Sequence, residues 1–179
     1  MKSPLRYPGG KSRAAKYIAT FVPNDAQEFC SPFIGGGSIE LMIAARGTKV
    51  YGYDIFQPLT CFWKHLLKSP MALATLADTY RTPLDGNKGL TRNDFLRLKR
   101  DLCEEPATTL THAAKFYALN RSSFSGATLS GGYSKQAAYK RFTTSSIERV
   151  RKFQEPNLEV DCLDFKESIP KHPDAFLYC

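Results

Sequence analysis

The feature that most constrains the fold is a glycine turn between two short, largely apolar segments. The first segment, residues 28–34, runs into three consecutive glycines at 35–37, and the second, residues 49–53, ends at Asp54. Residues 39–43 between them carry apolar side chains at helical spacing. This order of strand, glycine turn, helix, strand and acidic residue predicts a βαβ unit with parallel strands.

The rest of the chain indicates how this unit is extended. Ser38 is a candidate N-cap for the helix after the glycine turn, and Gly47 is a candidate C-terminal glycine. Residues 70–153 have mainly helical periodicity, interrupted by a segment at 120–142 that is rich in Ser, Gly and Tyr and predicts a loop. The apolar run at 175–179 suits a strand that is buried on both faces. The sequence therefore predicts an α/β domain with a helical insertion.

The glycine turn and Asp54 together favour a nucleoside-containing cofactor. A turn without Cβ atoms lets backbone approach a ligand, and a carboxylate at the end of the second strand can accept hydrogen bonds from ribose hydroxyls. A dinucleotide site needs a third glycine five residues after Gly35, but Glu40 holds that position. A glutamate there disfavours a pyrophosphate, so S-adenosylmethionine is the favoured cofactor and a nicotinamide dinucleotide is the alternative.

The charge of the chain fits either a polyanionic partner or a merely basic soluble protein. It carries 25 Lys and Arg against 17 Asp and Glu, a formal net charge of +8 at pH 7. Basic residues are concentrated between Arg121 and Lys152, with Tyr133, Tyr139 and Phe142 among them. By itself this pattern is more typical of a solvated helix face, and contact with double-stranded DNA is the alternative. The sequence shows no signal peptide and no apolar run of membrane-spanning length, so no membrane partner and a cytoplasmic location are expected.

Five segments resemble, in order, the motifs of Dam-like adenine-specific DNA methyltransferases. Residues 5–11 are similar to the N-terminal aromatic-x-Gly-Gly-Lys motif, and residues 32–38 to the cofactor-binding Pro-Phe-x-Gly-x-Gly-Ser motif. Residues 53–55 resemble the acidic strand end, and residues 120–126 the Asn-Arg-x-x-Phe-x-Gly segment. Asp164-Phe165, followed by residues 176–179, resembles the segments that lead to the catalytic motif. The resemblance covers essentially the whole chain.

The resemblance implies a Rossmann-like S-adenosylmethionine-dependent methyltransferase fold with an incomplete sheet and an inserted, mainly helical DNA-binding subdomain. Residues 1–69 are expected to be the cofactor-binding part, 70–153 the DNA-recognition subdomain and 154–179 the return to the sheet. The implied cofactor-binding residues are Tyr7, Lys11, Pro32, Phe33, Gly35, Gly37, Asp54, Asp164 and Phe165.

The resemblance also assigns contacts to individual parts of the cofactor. Lys11 suits its carboxylate, Asp54 its ribose, and Asp164 its adenine amino group. The family has a glutamate before Pro-Phe that receives the cofactor's ammonium group, whereas this sequence has Ser31. The implied DNA-facing residues are Asn120, Arg121, Ser123, Phe124, Lys135, Lys140 and Arg141.

The family's catalytic Asp-Pro-Pro-Tyr motif is expected immediately after Cys179, and no such sequence occurs within the 179 residues. The family's activity is the site-specific transfer of methyl from S-adenosylmethionine to the exocyclic amine of adenine, and this chain alone is expected to lack it. Four origins would explain the missing motif: a truncated gene, a fragment, an intein junction, or a split enzyme completed by a second chain. The alternative function is a non-catalytic DNA- or cofactor-binding remnant.

Overall fold

The structure, a computed structural model, describes residues 2–84 and 87–179, so that Met1, Asp85 and Gly86 of the ranges predicted above lie outside it. The strands are β1 (Glu28–Ser31), β2 (Lys49–Asp54), β3 (Thr82–Leu84), β4 (Asn87–Gly89), β5 (Leu158–Cys162) and β6 (Phe176–Leu177). The helices are α1 (Ala15–Ile18), α2 (Glu40–Ala44), α3 (Gln57–Lys68), α4 (Pro70–Thr79), α5 (Arg92–Glu104), α6 (Leu110–Ser122), α7 (Lys135–Lys140), α8 (Thr144–Arg151) and α9 (Phe165–Ser168).

A parallel sheet forms the frame of the molecule. In the described part of the chain its order is β5-β2-β1-β6, and Phe29 of β1 is paired with Val50 on one side and Phe176 on the other. The βαβ unit predicted around the glycine turn is thus confirmed: β1, α2 and β2 follow one another, and β2 ends at Asp54. Parallel strands place their carboxyl ends at one edge, which is where ligands bind in open α/β sheets.

Two helices form the centre of the apolar core. α3 buries Leu59, Phe62, Trp63 and Leu66 on one face and packs against both β5 and α6. α6 is buried along nearly its whole length and lies against α3, α4 and α5. The core therefore continues without interruption from the sheet into the helical middle of the chain.

The helical middle follows the predicted periodicity, with local N-caps that explain where the helices begin. Thr91 Oγ1 accepts a hydrogen bond from the Asp94 backbone N–H, and Thr109, Ser134 and Thr143 cap α6, α7 and α8 in the same way. An antiparallel pair, β3–β4, lies between α4 and α5 and was not predicted.

Three local predictions were wrong. Ser38 does not cap α2, because the helix begins at Glu40 after Ile39, which has helical backbone angles and makes no side-chain cap. The loop predicted at 120–142 contains the end of α6 and all of α7. The apolar run at 175–179 contributes only β6, which pairs with β1 and leaves Leu177 44% exposed.

No helix within the described ranges combines the length and the apolar character that crossing a membrane requires.

Candidate functional site

The turn after β1 is shaped by its glycines. Gly35 and Gly37 adopt φ angles of +47° and +64°, a region that side chains other than glycine rarely occupy. The Ile34 backbone N–H donates a hydrogen bond of 2.7 Å to the Tyr53 carbonyl, which ties the turn to the end of β2. Both glycines were predicted to contact the cofactor, and both adopt a backbone conformation that favours glycine.

Trp63 of α3 supports the turn from the core side. Its indole Nε1–H donates to the Gly35 carbonyl at 3.1 Å, and the side chain is fully buried. A Cβ atom added at Gly37 would lie 2.6 Å from Trp63 Cζ2, inside van der Waals contact. Gly37 therefore lets the turn pack closely on the indole ring, a contact between residues far apart in sequence that the motif did not reveal.

Asp54 holds the turn by its side chain. Its Oδ2 accepts a hydrogen bond from the Gly35 backbone N–H at 3.3 Å, and its Oδ1 accepts one from the Phe56 N–H at 3.0 Å. The carboxylate is only partly buried, and each oxygen keeps capacity for another donor. The predicted site residues Gly35 and Asp54 are thus brought into direct contact.

The loop that carries Tyr7 and Lys11 closes one side of the turn. The Tyr7 side chain packs closely on the glycines: a Cβ atom at Gly35 would lie 3.1 Å from its ring atom Cε1, and one at Gly36 would lie 2.9 Å from its Cβ. Burial and the Asp54 carboxylate raise the pKa of Tyr7 to about 12, so its phenol stays protonated at neutral pH. Lys11 is exposed, and its Nζ donates to the Gly9 carbonyl at 2.9 Å.

Between this loop and the glycine turn lies a cleft of about 250 Å³. Its walls include the loop at 7–11, the turn at 33–37, the start of α2 and Tyr178 after β6. Glu40 also lines the cleft and accepts a hydrogen bond of 2.7 Å from the Ser31 hydroxyl. Burial raises the pKa of Glu40 to about 7, against the lowering effect of that hydrogen bond.

From the sequence, Glu40 was only a reason against a dinucleotide, and no contact was predicted for it. The signal that would have found it is its position in the glycine motif, because that position lies on the wall of the cleft in the folded chain.

Exposed apolar side chains follow the carboxyl ends of β1, β2 and β5. The rings of Phe33 and Phe165 are 5.8 Å apart, and Ile55, which follows Asp54, is 68% exposed. Asp164 N-caps α9 by accepting the Lys166 N–H at 2.9 Å through Oδ1, which leaves Oδ2 available. Exposed side chains of this kind suit a flat aromatic ligand, and Ile55 was missed because the motif was read as an acidic strand end.

Asn120 anchors the N-terminal loop. Its side chain is fully buried, its Oδ1 accepts the Arg6 N–H at 3.0 Å, and its Nδ2 donates to the Arg6 carbonyl at 2.6 Å. Nδ2 also lies 3.0 Å from the Gly126 carbonyl, whose residue packs against Arg6. Asn120 therefore binds both backbone groups of the residue next to Tyr7, which joins the helical middle to the cleft.

Arg121 is also used inside the chain. It is 7% exposed and donates through Nε and Nη2 to the Arg141 carbonyl, at 3.0 and 2.7 Å. Burial lowers its pKa, and the nearby guanidinium groups of Arg149, Arg6 and Arg141 lower it further. Ser123, predicted to face DNA, is fully buried as well. Asn120, Arg121 and Ser123 are therefore buried and bind backbone groups of the neighbouring loops, whereas the other predicted DNA-facing residues are exposed.

The exposed members of that set are Phe124, Lys135, Lys140 and Arg141. Phe124 is 71% exposed, and the next residue, Ser125, has a φ of +52°, so the turn presents the ring outward. Arg6 and Arg141 are close enough that the charge of Arg141 lowers the Arg6 pKa, although burial is the larger cause. Arg6 thus lies near Arg141, a proximity that the sequence did not indicate.

A family model matches the chain. The D12 class N6 adenine-specific DNA methyltransferase family matches residues 7–179, which is nearly the entire sequence. The chain belongs to this family. No protein of curated function matches it. The D12 methyltransferase match starts at Tyr7 in the cleft loop and includes the glycine turn, Asp54 and the basic helices.

Proposed function

We propose that this chain binds S-adenosylmethionine in the cleft beside the glycine turn and DNA at the basic surface around Arg141. The single observation that supports the cofactor site most strongly is the contact of Asp54 with Gly35, because it places a partly open carboxylate beside bare backbone. Membership of an adenine-specific DNA methyltransferase family supports the choice of ligands.

The residues present fit this cofactor. Bound S-adenosylmethionine supplies an activated methyl group on a sulfonium sulfur. Asp54 would accept hydrogen bonds from the ribose hydroxyls. Phe33, Ile55 and Phe165 would pack on the adenine ring, and Asp164 would accept a hydrogen bond from the adenine amino group. The methionine moiety would lie against the turn that Gly35 and Gly37 form, with Tyr7 beside it. Every one of these groups lies at the carboxyl ends of the strands or on the loops beside them.

The chain's own contribution to transfer would be positioning and exclusion of water, which suits a direct displacement without a covalent enzyme intermediate. Tyr7, protonated at neutral pH, would present a hydrogen-bond donor rather than a second negative charge beside Asp54.

The cofactor site is tested by calorimetry with S-adenosylmethionine. Asp54→Ala should weaken binding by about 1–3 kcal/mol, the usual cost of removing a hydrogen-bond partner from polar groups that stay buried. Asp25→Ala is the matched control, because Asp25 is exposed and precedes β1, at the opposite end of that strand from the glycine turn. Equal affinities for the wild-type and Asp54→Ala proteins would remove Asp54 from the site.

We propose further that the 179-residue chain by itself does not methylate DNA. Adenine's exocyclic nitrogen has a lone pair delocalised into the ring, so transfer needs acceptors aimed at the amine, and the sequence has no Asp-Pro-Pro-Tyr to provide them. Tritium from labelled cofactor should stay at background on adenine-rich duplex DNA. Incorporation above a no-enzyme control would show that other residues of this chain catalyse the transfer.

The alternative of a binding protein that acts without transfer shares the cofactor and DNA sites. Adding a second chain that begins with Asp-Pro-Pro-Tyr distinguishes the two, because restored incorporation would favour a split enzyme. Unchanged background with intact binding would favour the non-catalytic remnant.

A further inference from the structure

The buried carboxylate of Glu40 is incompletely compensated by its own chain. Glu40 is 2% exposed, and one hydroxyl, that of Ser31, donates to Oε1. The neighbouring backbone groups of Ile39 and Glu40 also favour the ionised form, yet burial outweighs them all and raises the pKa. Within residues 2–84 and 87–179, Glu40 takes part in no salt bridge. A buried carboxylate in this state favours a positively charged partner.

Glu40 borders the cleft, so a ligand can supply that partner. The Ser31 hydroxyl of β1 donates to Glu40. Burial raises the pKa of Tyr178, and the nearby Glu40 carboxylate raises it further. Tyr7 and Lys11 line the same cleft from the N-terminal loop. The cleft thus has a lysine on one wall and a carboxylate on the other. This arrangement complements a zwitterion, a molecule with one carboxylate and one ammonium group.

The position of Glu40 also bears on the departure at Ser31. The resemblance implies an ammonium-binding glutamate at position 31, where this chain has serine. Ser31 Oγ lies 2.7 Å from Glu40 Oε1. Glu40 of α2 therefore supplies a carboxylate next to position 31, where β1 has a serine in place of the glutamate.

We propose that Glu40, oriented by the Ser31 hydroxyl, binds the α-ammonium group of the cofactor's methionine moiety. The inference rests on the proposed cofactor site and adds the residue that recognises its amino-acid end. Glu40 binds the ammonium as a carboxylate, so a protonated Glu40 must first release its proton. Affinity for an amino-bearing ligand therefore falls as pH drops below about 7, the pKa of the free protein.

The test compares two ligands that differ in one group. S-Adenosylhomocysteine and its des-amino analogue are titrated into the wild-type protein and into Glu40→Gln by calorimetry at pH 7.5. Glutamine keeps the size of the side chain and an acceptor for Ser31 but removes the charge. The control is Glu28→Gln, at the start of the same strand as Ser31, where the carboxylate accepts from Tyr51 at 3.2 Å.

Glu40→Gln should lose roughly 10- to 100-fold in affinity for S-adenosylhomocysteine, the range for hydrogen bonds to charged groups, and keep its affinity for the des-amino analogue. Glu28→Gln should bind both ligands as the wild-type protein does. An unchanged affinity for S-adenosylhomocysteine, or an equal loss for both ligands, would overturn the assignment of Glu40. Failure of the wild-type protein to bind either ligand would instead overturn the proposed cofactor site.

A second measurement needs no variant and covers the case in which Glu40→Gln does not fold. The wild-type protein's preference for S-adenosylhomocysteine over the des-amino analogue is measured from pH 5.5 to 7.5. The proposal expects that preference to rise with pH. A preference that stays constant over this range would overturn it.

Discussion

Position 37 favours glycine for two reasons, its close packing on Trp63 and its positive φ, and replacing Gly37 with alanine measures their combined cost. The new methyl group would lie 2.6 and 2.8 Å from two ring atoms of Trp63, which is fully buried and hydrogen-bonded to Gly35. Overpacking of this kind costs about 1–3 kcal/mol. The φ of +64° adds about 1–2 kcal/mol for a residue with a Cβ. Gly37→Ala should therefore lower the free energy of unfolding by about 2–5 kcal/mol.

The assay is urea denaturation followed by tryptophan fluorescence, with Gly9→Ala as the control. Gly9 has a similar φ of +73°, but a Cβ there would meet no atom within 4 Å. The control should show only the conformational cost of about 1–2 kcal/mol. Equal destabilisation by the two substitutions would refute the close packing of the turn on Trp63.

Three further outcomes are expected. Lys140→Ala should reduce the slope of log affinity for duplex DNA against log salt concentration by about one unit, whereas Lys68→Ala on α3 should leave the slope unchanged. A slope for Lys140→Ala equal to that of the wild-type protein would show that Lys140 contacts solvent and no phosphate. Asn120→Ala should cost about 2–4 kcal/mol in urea denaturation because it leaves buried backbone groups of the N-terminal loop unpaired, with the exposed Ser130→Ala as control. The Glu40 pKa is raised above its value in the unfolded chain, so the free energy of unfolding of the ligand-free protein should fall by up to about 3 kcal/mol as the pH rises from about 5 to about 8. Urea denaturation at several pH values measures this fall, and Glu40→Gln should abolish it.

Local signals were enough to predict the frame of the site. Glycines at positions of positive φ, an acidic residue at the end of β2 and threonines at helix starts each act within a few residues, so the sequence displays them. The parallel βαβ unit followed from these signals and is confirmed.

Long-range contacts could not be predicted in the same way. Asn120 and Arg6 are 114 residues apart, and nothing near either residue indicates that the asparagine holds the cleft loop from within the core. The family resemblance implied that Asn120 and Arg121 face DNA, whereas both are buried and donate hydrogen bonds to backbone carbonyls.

The apolar run at 175–179 shows a different limit. Apolar composition indicates a tendency to be buried but does not state how many neighbours a strand has. β6 pairs with β1 alone in the described chain, and Phe176 remains partly exposed.

Hydrogen–deuterium exchange with saturating S-adenosylhomocysteine shows directly whether the glycine turn, the Tyr7 loop and Asp54 form the cofactor site. Amide exchange should slow in residues 5–11, 33–40 and 54–56 and stay unchanged in the basic helices at 135–151. Protection confined to the basic helices, or no protection anywhere at a concentration that saturates binding, would contradict a cofactor site at the glycine turn.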